Sequence, residues 1–140
     1  MKAAIVLFAA TLLTACQPEP APLVTVSEAK AIALPTSAAV YFTLANSGGR
    51  DRLLSVAADA GIGQASLHET TMDGDIMRMR AIEEGIEIPA RGRVRLSSNG
   101  RHVMIQDLAQ PLAEGSSVRL TLRFERQGEI AIEAPVSGPR

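Results

Sequence analysis

Hydrophobic and polar positions alternate most clearly near the C-terminal end of the chain. Val118, Leu120, Leu122 and Phe124 take turns with Arg119, Thr121, Arg123 and Glu125. Successive side chains of a strand point to opposite faces, so this pattern predicts a half-buried strand. Residues 39–45 repeat it, with Val40, Phe42 and Leu44 on one face and Tyr41 and Thr43 on the other. Asn46-Ser47-Gly48-Gly49 ends that run as a turn. Shorter runs at 23–26, 52–56, 65–70, 76–82, 85–89, 93–96, 101–108 and 129–136 read as further strands. Asp73-Gly74 falls between two of them and predicts a hairpin, because Gly accepts a positive φ. Ser97-Ser98-Asn99-Gly100 and Gln127-Gly128 are turn signals of the same kind. No long stretch has helical periodicity. Short strands at this spacing predict an all-β domain, an antiparallel sandwich or barrel.

Composition narrows the function more than the fold. The chain has 140 residues and a net charge of −1, enough for one modest core. Lys and Arg are scattered without a basic run, which excludes a nucleic-acid footprint. The aromatics are Phe8, Tyr41, Phe42 and Phe124, too few for a stacking platform. Cys16 is the single cysteine, so neither an internal disulfide nor a cysteine-based zinc site can form.

The N-terminus has the order of a secretory signal: Lys2, then an apolar run at 3–13, then small residues. That run is shorter than the roughly 20 residues a membrane-spanning helix needs. Leu13-Thr14-Ala15-Cys16 resembles a bacterial lipobox. The resemblance implies a signal peptide at 1–15, cleavage before Cys16, and acylation of Cys16. Residues 16–22, with Pro18, Pro20 and Pro22, are expected to form an extended tether. The domain is expected over 23–136, with a frayed tail at 137–140. Gln17 stands where enteric-type lipoproteins retained at the inner membrane carry Asp. The expected location is therefore the periplasmic face of the outer membrane.

Candidate chemistry is concentrated in one stretch. His68, His102, Met72, Met77, Met79 and Met104 include both histidines and every methionine but the initiator. Imidazole and thioether form a soft ligand set suited to Cu(I) and poorly suited to Mg²⁺ or Ca²⁺. His102-Val103-Met104 puts two ligands on one strand face and Val103 on the other. Met77 and Met79 likewise share a face, opposite Arg78 and Arg80. If both arms of the Asp73-Gly74 hairpin meet the His102 strand, His68, Met79, His102 and Met104 make an N₂S₂ site. In an oxidising compartment thiols tend to form disulfides, whereas thioethers keep a soft sulfur available. The competing reading of each methionine is a gap-filler in the core. Asp73-Gly74-Asp75 resembles a fragment of a calcium loop but lacks its ligand periodicity and distal Glu.

His68, ten residues, Met79, twenty-two residues and His102-Val103-Met104 resemble the signature of the periplasmic copper chaperones called PCuAC. The second gap is one residue longer than the family's, an insertion placed most simply at Glu83-Glu84-Gly85. Leu67-His68-Glu69, Met77-Arg78-Met79-Arg80 and Leu120-Thr121-Leu122-Arg123-Phe124 are also similar to family text. The resemblance implies a cupredoxin-like Greek-key β-sandwich. It also implies a monomeric Cu(I) carrier with His68, Met79, His102 and Met104 as ligands. The expected client is a copper-accepting protein, cytochrome c oxidase subunit II at its CuA centre or an assembly factor. Met72 and Met77 fall outside the motif, and the His- and Met-rich tail of some relatives is missing from the sequence. Two other readings compete: a copper-buffering or resistance protein with the same site, and a metal-free lipoprotein that binds envelope components. An enzyme is not expected, since a Ser-His-Asp arrangement would have to share a motif histidine.

Overall fold

The computed structural model describes residues 16–139. The expected signal peptide lies outside the described residues. Among the described residues ten strands follow one another: β1 (Val24–Ala33), β2 (Ala38–Asn46), β3 (Asp51–Ala58), β4 (Gln64–Asp73) and β5 (Ile76–Ala81), then β6 (Ile86–Ile88), β7 (Arg93–Arg95), β8 (Arg101–Gln106), β9 (Ser117–Phe124) and β10 (Glu129–Ser137). The neighbour order is β5-β4-β8-β2-β1-β10-β9-β3-β6, and β7 pairs with β2 beyond the end of β8. The short parallel pairing of β1 with β10 joins the two halves of this path, and all other pairings are antiparallel. Connections pass repeatedly from one half to the other, as in the expected all-β, cupredoxin-like sandwich.

The alternation read from the sequence is what fills the core. Val40, Phe42 and Leu44 of β2 meet Val118, Leu120, Leu122 and Phe124 of β9, with Leu53, Ile86, Ile88, Val103 and Ile105 around them. Ile130 and Ile132 pack against this cluster only partly buried, while Ala134 and Val136 are fully inside. Ser137 belongs to β10 rather than to a frayed tail, because β10 pairs with both β9 and β1.

β1 is longer than the expected run at 23–26. It continues past a bulge between Ser27 and Lys30, where Glu28 takes a φ of 56°. Such a backbone is uncommon outside Gly, and it breaks the alternation that marks a strand. Glu28 accepts a hydrogen bond from the Thr43 hydroxyl at 2.9 Å, which holds the bulge against β2.

The Pro-rich segment is extended but not free of the domain. The Ala21 carbonyl accepts from Gly49 N–H at 3.1 Å. Arg50 pairs with Glu19 at 3.0 Å, and Arg126 donates to the Pro20 carbonyl at 3.1 Å. A Cβ at Gly48 would lie 2.1 Å from the Ala21 oxygen, and one at Gly49 2.0 Å from the Pro20 oxygen. Only glycines let the strap lie this close.

Two buried polar groups organise this end. Asn46 accepts from Leu23 and Gly48 N–H and donates to the Gly49 and Pro89 carbonyls. Asp51 accepts from the backbone N–H groups of Arg52, Arg126 and Gln127. Truncating a fully buried leucine removes its transfer energy and leaves a cavity. Leu122→Ala should therefore cost about 2–5 kcal/mol in urea unfolding, whereas the partly exposed Leu54→Ala should cost far less.

Candidate metal centre

β4 lies between β5 and β8, and its register decides which side chains share a face. His68 is directly opposite His102, and Ser66 is opposite Met104. On the other side Thr70 is opposite Met79 and Met72 is opposite Met77. Directly opposed residues share a face and so do those two apart, which puts both histidines and all four methionines on one surface. Glu69, one residue along, falls on the reverse face with Arg80 and Arg101, at 3.1 and 3.8 Å. Arg78 and Asp73 add a further pair there at 3.5 Å. The hairpin thus separates its charges from its soft ligands.

The expectation that both hairpin arms meet the His102 strand is corrected. Of the two arms β4 alone pairs with β8, and β5 is the outer edge strand. The loop is also displaced by one residue. Asp73 pairs with Ile76, so Gly74-Asp75 is the two-residue turn, and only Gly74 (φ 61°) has a positive φ within it. Gly at the first central position is the type II′ preference. Met79 therefore stands diagonal to His68 rather than opposite it. Ala81, the residue opposite His68, is small and leaves room for a long side chain to reach across.

The two rings sit with centroids 6.1 Å apart and planes 27° from parallel. Two imidazoles sharing one ion at about 2 Å per nitrogen keep their centroids within roughly 6–6.5 Å. The spacing thus admits a shared ion. His102 is 3% exposed, and its Nδ1–H donates to the Gly100 carbonyl at 3.0 Å. A carbonyl can only accept, so the neutral ring carries its proton on Nδ1 and leaves Nε2 with a free lone pair. His68 Nε2 lies 2.9 Å from the Ser66 hydroxyl, while its Nδ1 is buried and has no partner. An orphaned ring nitrogen costs free energy unless something binds it.

Met104 is 8% exposed on the same strand as His102. Tyr41 walls the site, its ring centroid 6.4 Å from that of His102. Burial raises the Tyr41 pKa, consistent with a neutral hydroxyl in a poorly solvated place. His68 is pushed the other way: burial, and then the neighbouring His102, lower its pKa below 6.5. A neutral imidazole is the form that binds a metal. Among the described residues no group of three His, Cys, Asp or Glu side chains is placed to hold a metal ion.

Three of the four expected ligands, His68, His102 and Met104, come together on β4 and β8. Met79 stands apart on the edge strand, 55% exposed. Residues with no claim from the sequence also enter the site: Ser66, Tyr41 and the Gly100 carbonyl. Ser66 precedes His68 by the strand period of two, the one signal that could have found it. The Gly100 contact is local, two residues from His102, whereas the Tyr41 contact depends on strand order, which the sequence does not state.

A family described as "Putative lipoprotein LpqE-like" matches residues 24–136. "Putative lipoprotein Lxx21020" of Leifsonia xyli subsp. xyli is 28% identical over 98 residues, 70% of this chain and 59% of that protein. The chain thus spans less than two thirds of that relative. The copper-bound PCuAC domain from PmoF2 superposes with a TM-score of 0.66 at 26% identity, covering 83% of this chain and 93% of that one. The solution structure of CuI-DR1885 from Deinococcus radiodurans has a TM-score of 0.61 at 28% identity, with coverages of 87% and 81%.

Protonation of His68 is disfavoured in the folded state, so the unfolded chain binds its proton first as pH falls. Its stabilising contribution is complete above the ordinary value of 6.5 and is lost as pH falls from there through the lower folded value. Ring-proton NMR should place the His68 midpoint below 6.5. A midpoint at or above 6.5 contradicts the half-buried, histidine-flanked environment of this ring.

Proposed function

The chain belongs to the LpqE-like lipoprotein family, and from that premise we propose that it is a lipid-anchored Cu(I) carrier of the bacterial envelope. One observation carries the reading: a close histidine pair, one ring buried and the other half-buried, with one imidazole nitrogen left without a partner and thioethers on the same face. The likeness to copper-bound PCuAC domains supports it. His68, His102, Met104 and Met79 are the proposed ligands, Met79 closing over the ion from the edge strand. Copper is the cargo. Two neutral imidazoles and two neutral thioethers leave its charge uncompensated, which favours holding Cu(I) over harder ions and permits release.

The proposed client is a copper-accepting protein, with the CuA centre of cytochrome c oxidase as the specific destination. Neutral ligands and an exposed Met79 suit ligand-by-ligand transfer to such an acceptor. The chain acts as a monomer, fixed at the membrane through acylated Cys16. Cys16 is exposed and carries a free thiol, as attachment requires. The periplasmic side, and the outer membrane in particular, follow from the lipobox and Gln17.

Anaerobic Cu(I) titration against a competing chelator tests the site. Met79→Leu or His102→Ala should weaken binding at least tenfold, about 1.4 kcal/mol. Wild-type protein that takes up no stoichiometric copper ends this reading. Cys16→Ser should move the protein from the membrane to the soluble fraction, and a variant that stays acylated defeats the anchor.

A further inference from the structure

Met72 and Met77 stand outside the ligand set, yet the hairpin presents them with care. They are directly opposed across β4 and β5, on the face that carries Met79 and the histidines. Opposed side chains have Cβ atoms about 4.5–5.5 Å apart, and diagonal neighbours remain within reach of long side chains. Met79 is diagonal to Met72 and two residues from Met77. Each of the three is more than half exposed, at 62%, 66% and 55% for Met72, Met77 and Met79. None of them is filling a gap in a core. Their reverse face, by contrast, is occupied by the Asp73–Arg78 and Glu69–Arg80 ion pairs.

We propose that Met72, Met77 and Met79 form an outer Cu(I) station, through which the ion enters and leaves the histidine site. The proposal rests on the copper reading above. Three neutral thioethers in water make a soft, weak and labile site, which suits capture and release rather than storage. Two residues of strand advance about 7 Å, so one such step separates Met79 from Ala81, the residue opposite His68, and a second step separates Met77 from Met79. Transfer is a ligand exchange. Bonds from copper to the Met72 and Met77 sulfurs break as bonds to the His68 and His102 nitrogens and the Met104 sulfur form, and the Met79 sulfur is kept. The ion remains Cu(I), so no electron is exchanged.

The full chain, with ¹³C-labelled methionine methyls, is titrated anaerobically with Cu(I) past one equivalent. With Met79 engaged by the first ion, the outer pair should take a second one more weakly, shifting the Met72 and Met77 methyl resonances. In M72L/M77L the second ion should be lost, and stopped-flow uptake of the first should slow about tenfold. Both side chains are exposed, so the exchange to leucine leaves the core untouched. If the Met72 and Met77 methyls stay still and uptake keeps its rate, the station does not exist, and the exposed methionines serve as an apolar surface for a protein partner. Failure to bind even the first ion is a different result and removes the copper reading itself.

Discussion

The pairing of β4 with β8 sets the chemistry of this molecule. His68 faces His102 because the ladder runs in one register, from Gln64 against Gln106 to Glu69 against Arg101. A slip of one residue would turn His68 to the opposite face and bring Glu69 forward in its place. The resulting surface would offer a hard carboxylate where a soft ion needs a nitrogen. Two features resist the slip. Leu67 is buried in the core, and a slip would put a polar neighbour, Ser66 or His68, in its place. Glu69 is held on the reverse face by Arg80 and Arg101. Exposed ion pairs add little energy, ~0.2–1 kcal/mol each, but these favour the same register that the core does.

Burial along the metal face then falls steadily outward. His102 and Met104 are nearly inaccessible, His68 is half-buried, and the methionines of β5 stand mostly in water. The inner end has a fixed tautomer, with the Gly100 carbonyl holding the His102 ring. The outer end consists of flexible thioethers on an edge strand whose every residue is exposed. Order decreases in the direction in which an ion would have to leave. A site closed on all sides by rigid ligands would bind more tightly and exchange more slowly, because each bond would have to break without a replacement at hand.

Much of this was legible in the residues. Alternation identified β9 because it has one face in the core and one outside, the condition under which a period of two survives, whereas β2 is covered on both faces and showed its period through Tyr41 and Thr43 on the second one. The His-x-Met pair and the shared face of Met77 and Met79 followed from the same period. The sequence was silent where a feature depends on a partner distant along the chain. That β5 is an edge strand and β8 a middle one is a matter of strand order, and no local pattern encodes it. The second half of β1 was hidden by Glu28, whose positive φ interrupts the alternation. Nor could the prolines at 18, 20 and 22 report that their strap is docked. The cause lies in Gly48 and Gly49, whose missing side chains make room for it.

The turn of the hairpin shows why a wrong loop can still give a right face. An Asp73-Gly74 loop would pair Met72 with Asp75 and set His68 directly against Met79. The observed Gly74-Asp75 loop pairs Asp73 with Ile76 and moves every partner on β5 by two residues. A shift of two preserves the face, so Met79 remains on the histidine side while moving one step toward the tip. That step changes its role. Placed opposite His68, Met79 would be sheltered beside the ring as an inner ligand. In its diagonal position it can reach His68 across the small Ala81 and also keep company with Met72 and Met77. Its 55% exposure follows from that placement. On the proposed reading the turn therefore decides whether Met79 is only a wall of the site or also its door, and the positive φ of Gly74 allows the diagonal placement that the second role needs.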